Sequence, residues 1–204
     1  MRSPDPYRYP AMPHVRRHGP GGYANYGAYR SWLRDEFDFR CVYCLQRERW
    51  GQVSRSFELD HFLPQALRED LELEYDNLVY TCASCNGAKS SRLVPDPHVH
   101  AFGACLRVED SGVITALNDQ GIYLIDELDL DSFERTEWRK TIIETISLVA
   151  KSGGPDLLKQ WMGLPTELPN LSSLRPPIPN TRSAGIKNSW HSRIARGEQI
   201  EVFE

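Results

Sequence analysis

Apolar and polar positions recur along this chain with two different periods, and the change of period marks its elements. Between residues 26 and 37, Tyr26, Tyr29, Leu33 and Phe37 follow one another at steps of three and four, the spacing of one helix face. From residue 57 the period drops to two: FELDHF predicts a short strand, and NLVYTC, at 77–82, predicts a second. ASCNGAKSSR then predicts a short helix, so the middle of the chain runs strand, long loop, strand, helix. Further on, LRVED and VITAL flank Ser111-Gly112 and predict a hairpin. A longer helix is expected from about Ser132 to Lys151, with Trp138, Ile142, Ile146 and Val149 on its buried face. Asp131 and Glu134 are placed to cap its start, and Gly153-Gly154-Pro155 to stop it.

The ends break the pattern. Ten of the fourteen prolines fall in residues 1–20 and 165–179, where regular structure is not expected. Residues 1–22 read as a flexible basic arm, whose Arg16, Arg17 and tyrosines could track phosphates and stack on bases. Residues 163–204 read as a proline-rich, polar tail with extended stretches and a few apolar anchors: Ile186, Trp190, Ile194, Val202 and Phe203. Between them, 23–162 is expected to form one domain, with a core motif at 41–92 and a C-terminal helical extension. Trp32, Trp50, Trp138 and Trp161 are expected in the core or against a partner.

A chain of 204 residues with 40% hydrophobic and 25% charged residues has the composition of a soluble protein. No apolar stretch approaches the ~20 residues of a membrane helix, and the first residues lack the apolar core of a secretory signal. A cytoplasmic location without membrane contact is therefore expected. The net charge of -4 argues mildly against nucleic acid, but its distribution changes that. Residues 1–55 carry ten Lys/Arg against five Asp/Glu, whereas 56–100 carry three against eight. A basic end can meet phosphates, and an acidic middle can hold a cation.

The chemistry concentrates in that acidic middle. Cys41 and Cys44 form one Cys-x2-Cys pair, and Cys82 and Cys85 another. In a reducing compartment such pairs favour metal over disulfide, and four thiolates suit a closed, structural Zn(II) site. Between the pairs stand Asp60-His61 and Asn77, and Asn86 follows the last cysteine. A histidine is a suitable base near neutral pH, and an Asp carboxylate with an Asn carbonyl suits Mg(II) or Mn(II). Asp60 and His61 are consecutive on a strand, so both can serve one site only if the strand twists or ends there; Pro64 is consistent with an end. Lys89, on the face of Asn86, would be a phosphate contact or a solvated lysine. Glu58 would be an exposed strand carboxylate or a support for the metal site. His98, His100 and Cys105 could hold a further metal, although a surface loop is the simpler reading.

CVYC, LDHFLP, YDNLV and CASCNGAK together resemble the HNH endonuclease family, in its form with a four-cysteine zinc, over residues 41–89. The resemblance implies an α+β fold built on a small zinc-stabilised ββα-metal core, with flanking helices and proline-rich termini. It implies His61 as general base, Asp60 and Asn86 as ligands of one catalytic divalent metal, and Asn77 as the residue that structures the loop and orients the base. With asparagine at 86, the motif is the H-N-N variant. The implied activity is hydrolysis of phosphodiester bonds, in DNA more than in RNA, giving 5′-phosphate and 3′-hydroxyl ends. Two alternatives remain: a zinc-stabilised binding module without hydrolysis, and a nuclease active only with a partner. Small nucleases of bacterial defence and mobile elements also share this resemblance.

Overall fold

The computed structural model describes residues 4–50 and 57–199. Its centre is the unit that the period-two segments predict. Strand β1 (Phe57–His61) pairs antiparallel with β2 (Leu78–Cys82), in a register that sets His61 opposite Leu78 and Phe57 opposite Cys82. All five residues of β2 are buried, because the preceding helix α1 (Arg30–Glu36) packs on it. Helix α2 (Ala83–Lys89) leaves β2 without a loop, its start capped by the Cys82 sulfur, which accepts from the Cys85 amide at 3.4 Å. The fold is α+β, and this ββα unit is its centre.

α1 begins later than the apolar spacing suggests. Residues Tyr26–Tyr29 form a 3-10 turn, entered through Asn25, whose side chain accepts from the Gly27 amide. Tyr29, Leu33 and Phe37 are buried as expected, and so are Trp32, Asp35 and Glu36.

Beyond α2 the predicted hairpin is present as β3 (Leu106–Val108) and β4 (Ile114–Ala116). Helix α3 (Asp119–Leu128) follows, beyond the elements expected from the apolar spacing. α4 (Phe133–Leu148) occupies most of the expected long helix, and Ile142, Ile146 and Val149 are buried as expected, but the first position of that face differs. Arg139, not Trp138, joins Ile142 and Ile146 inside, because Arg139 donates to the carbonyls of Gly112 and Leu130. Trp138 is 42% exposed and its indole nitrogen donates to Gln46. The start of α4 carries no side-chain cap: its first flanking residue is Ser132, and the Asp131–Glu134 pair does not act. The expected stop is a π-type turn, Val149–Gly153, after which Pro155 opens α5 (Gly154–Met162).

Both ends differ from loose tails. Tyr7 and Tyr9 lie in the core, and the Tyr9 hydroxyl donates to the Tyr43 carbonyl at 2.8 Å. Arg17 is committed to the Asp35 and Glu36 carbonyls and to Asp38, so it does not project to track phosphates. The far end returns to meet this segment. Gly21 and Ile178 form an antiparallel bridge, and two short helices, α6 (Ser183–Asn188) and α7 (Trp190–Ala195), close over α1. Trp190 is buried, Ile186 packs against the core and Ile194 is exposed. Val202 and Phe203 lie outside the described residues, as do residues 1–3. Apolar tyrosines spaced between prolines cannot form a helix face, but tertiary contacts bury them one at a time. Among the described residues, no helix is long and apolar enough to cross a membrane.

Candidate active site and zinc centre

The four cysteine sulfurs lie within 4.8 Å of one another, and none is in a disulfide. Zn–S bonds of about 2.3 Å put tetrahedral sulfurs roughly 3.8 Å apart, so the 3.6 Å between Cys44 and Cys82 fits a zinc ion. The cluster is thus compatible with structural zinc. It gathers because the first knuckle sits against the outer edge of β2, where the Val42 amide donates to the Tyr80 carbonyl at 2.9 Å. Arg135 of α4 donates to the Cys85 sulfur at 3.2 Å and brings a cation to a centre that would carry excess negative charge. Among the described residues, these cysteines are the one group of three or more His, Cys, Asp or Glu side chains close enough to share a metal ion. His98, His100 and Cys105 do not gather: His98 is bonded to Asp96, and the Cys105 thiol donates to the Ala101 carbonyl.

β1 ends at His61, as the strand argument requires. Asp60, His61 and Asn86 therefore line one cleft of about 380 Å³ with Tyr26, Ser90 and Ser91. His61 Nε2 lies 3.0 Å from the Glu72 carbonyl oxygen. A carbonyl can only accept, so Nε2 carries the proton and Nδ1 is the nitrogen left to take one. The Tyr26 ring meets the imidazole edge-on, 4.8 Å between centroids.

Asn77 holds the loop that supplies this carbonyl. Its Oδ1 accepts from the Leu63 amide at 2.8 Å, and its Nδ2 donates to the Leu63 and Leu71 carbonyls. One amide side chain ties both ends of the 63–71 segment, and Glu72 follows directly.

Asp60 is buried, and burial pushes its carboxyl up, opposed by Lys89 and the Tyr43 hydroxyl. Lys89 Nζ stands 3.2 Å from Asp60 Oδ1 and donates to the His61 carbonyl at 2.9 Å. Its side chain is 0% exposed, so Lys89 is neither a phosphate contact nor a solvated lysine. The last turn of α2 faces β1 and draws it inward. Tyr43 donates to Asp60 Oδ2 at 3.3 Å, and burial first, then the Asp60 charge, keeps it a phenol.

Asn86 donates through Nδ2 to Glu58 Oε2 at 2.5 Å. Glu58 is half-buried and orients this amide, so it is not a free strand carboxylate. With its nitrogen engaged, Asn86 could offer Oδ1 as a ligand atom. An Asp carboxylate and an Asn oxygen on one cleft form a hard donor set, which suits an oxygen-seeking divalent cation.

Tyr43, Glu58 as a partner of Asn86, the Glu72 carbonyl and Arg135 add to the residues singled out from sequence. Tyr43 lies inside the first knuckle, which was its only signal, while a backbone carbonyl leaves none.

The chain is similar to the Septu protein PtuB of Bacillus thuringiensis, with 28% identity over 126 residues. The alignment covers 55% of this chain and 45% of that protein, so the chain spans about half the length of the relative it matches. Residues 41–92, which hold the four cysteines, Asp60, His61, Asn77 and Asn86, match the family model of the HNH endonucleases.

Proposed function

We propose that this chain is a metal-dependent endonuclease that hydrolyses phosphodiester bonds, with DNA as the preferred substrate. One observation carries the reading: Asp60, His61 and Asn86 line the same cleft, and His61 Nε2 lies 3.0 Å from the Glu72 carbonyl oxygen, an acceptor that an Nε2–H tautomer would satisfy. His61 Nδ1 takes a proton from a water as that water attacks phosphorus in line with the departing 3′ oxygen. Asp60 and Asn86 Oδ1 would hold Mg(II) or Mn(II), which when bound would supply positive charge to stabilise the transition state. Asn77 keeps the loop, and through it the imidazole, in place. The products carry 5′-phosphate and 3′-hydroxyl ends.

A specific observation favours partner dependence within this reading. With Lys89 turned inward, none of the described side chains lining the cleft is a lysine or arginine, and the chain as a whole carries -4. Affinity for a polyanion must then come from the cation and from surfaces elsewhere, and a partner protein is one source of them. A role in bacterial defence or in a mobile element belongs to the same proposal.

The test is cleavage of supercoiled plasmid in Mg(II), Mn(II) or EDTA, beside His61→Ala and Asp60→Ala. The expected result is metal-dependent nicking or linearisation, reduced about 100- to 10,000-fold by His61→Ala with zinc content unchanged. A zinc-bound wild type that cuts nothing, even with cell extract added, would favour a binding module without hydrolysis. Equal products from wild type and His61→Ala would remove His61 as the base.

A further inference from the structure

Arg16 lies outside residues 41–92, yet its side chain is only 6% exposed. Its guanidinium is held between two rings, 5.3 Å from the centroid of Phe37 and 5.2 Å from that of Tyr75. Nη2 donates to the Asp76 carbonyl at 3.0 Å and to the Leu78 carbonyl at 2.6 Å. The nearest carboxylate, Asp76, is 3.9 Å away and 62% exposed, a weak partner for a buried charge. Burying a cation costs several kcal/mol unless bonds hold it; among the described residues Nε and Nη1 find no hydrogen-bond partner, and both bonds that Nη2 makes go to the carbonyls on either side of Asn77.

We propose that Arg16 is a positioning residue for His61, acting through Asn77. The contacts are continuous. Arg16 grips the backbone before and after Asn77, and Asn77 ties Leu63 to Leu71. The Asn77 carbonyl also accepts from the Phe62 amide at 2.8 Å, directly after His61. The Glu72 carbonyl then fixes the imidazole. Leu78 is the register partner of His61, so Arg16 also holds the strand across from the base. Without the guanidinium, the turn at 75–77 loses its outer anchor and the Glu72 carbonyl is no longer held against Nε2. An arginine is suited to this because one planar head meets two carbonyls and still stacks between rings, whereas a lysine offers a point charge.

The proposal deepens the nuclease reading, so its test has one readout that does not depend on activity. The full zinc-loaded chain is labelled with 15N-histidine, and the His61 signals are assigned by their loss in His61→Ala. The wild type is expected to show a single Nε2–H tautomer. Arg16→Gln is expected to show mixed tautomers, with zinc content unchanged. On plasmid with Mn(II), kcat should fall about 10- to 100-fold while KM stays within twofold, the pattern of a base displaced by ångströms. Arg16→Lys should fall between the two. A wild-type tautomer in folded Arg16→Gln overturns the proposal, whatever its rate. Loss of zinc and unfolding in both variants also overturns it, since Arg16 would then be a general determinant of the fold. Mixed tautomers in Arg16→Gln, with no cleavage by any form including wild type, would sink the nuclease reading and leave the positioning role standing.

Discussion

Glu36 accepts four hydrogen bonds from three parts of the chain: the His14 ring at 2.9 Å, the amides of Arg17 and His18 at 2.7 and 2.9 Å, and the Tyr75 hydroxyl at 3.0 Å. Its side chain is fully buried. Burial by itself would raise the carboxyl, but His14, the Arg17 amide and the Arg16 charge outweigh it and hold the group at about 2, down from 4.5. A depressed carboxyl stabilises the fold above its unfolded value and loses that contribution as pH falls through the folded one. The stabilisation is therefore complete above about pH 4.5, fades toward pH 2 and amounts to roughly 3 kcal/mol. Acid also protonates the cysteines and weakens any zinc site, so wild type alone cannot isolate the effect. Glu36→Gln can, because zinc loss is common to both proteins. In urea titrations the wild type is expected to be more stable at neutral pH, and the gap to narrow once pH drops below about 4.5. A gap that stays constant into that range would remove Glu36 as the acid-sensitive group.

At the scale of elements, what the sequence made legible was what a local rule decides. Two Cys-x2-Cys pairs and a period of two placed the knuckles, β1, β2 and α2, and with them Asp60, His61, Asn77 and Asn86. The inward turn of Lys89 was not legible, because its position on α2 does not say which face meets β1. α3 was also missed, although Gly121, Leu124 and Leu128 repeat at helical spacing and Asn118 caps the start by accepting from the Gly121 amide at 3.0 Å. Gly121 explains why this helix sits where it does. A Cβ at this position would lie 2.0 Å from the Cys105 carbonyl oxygen, so only glycine lets α3 approach the chain entering β3 so closely. Gly121→Ala must push the backbone apart, at about 1–3 kcal/mol or more. Thermal unfolding should fall by roughly 2–4 °C for each kcal/mol, with zinc content unchanged because the knuckles lie elsewhere. A variant as stable as wild type would mean that α3 can slide without loss.

Over the whole molecule, the two ends act as one structure. The His18 ring and the Trp190 amide both bond the buried Asp35 of α1, at 2.9 and 2.8 Å, and Gly21 exchanges backbone bonds with Ile178. Gly185 of α6 presses on the N-terminal segment: a Cβ there would lie 1.9 Å from the Arg17 carbonyl oxygen and 2.6 Å from His18 Nδ1. Gly185→Ala must therefore displace either α6 or residues 17–18. This can be read with trypsin, which cuts after arginine and needs an extended, accessible chain. Arg16 is buried and Arg17 is bonded to α1, so the wild type should resist cleavage after both. When opening and closing are fast, cleavage follows the population of the open segment. Each ~1.4 kcal/mol lost at this junction should then speed cleavage after Arg16 and Arg17 about tenfold, as mass spectrometry would report. The same cuts at wild-type speed in Gly185→Ala would mean that the N-terminal segment is held by α1 alone. Rapid cutting of the wild type would restore the loose arm that its prolines suggest, and would also remove the anchor from which Arg16 reaches Asn77.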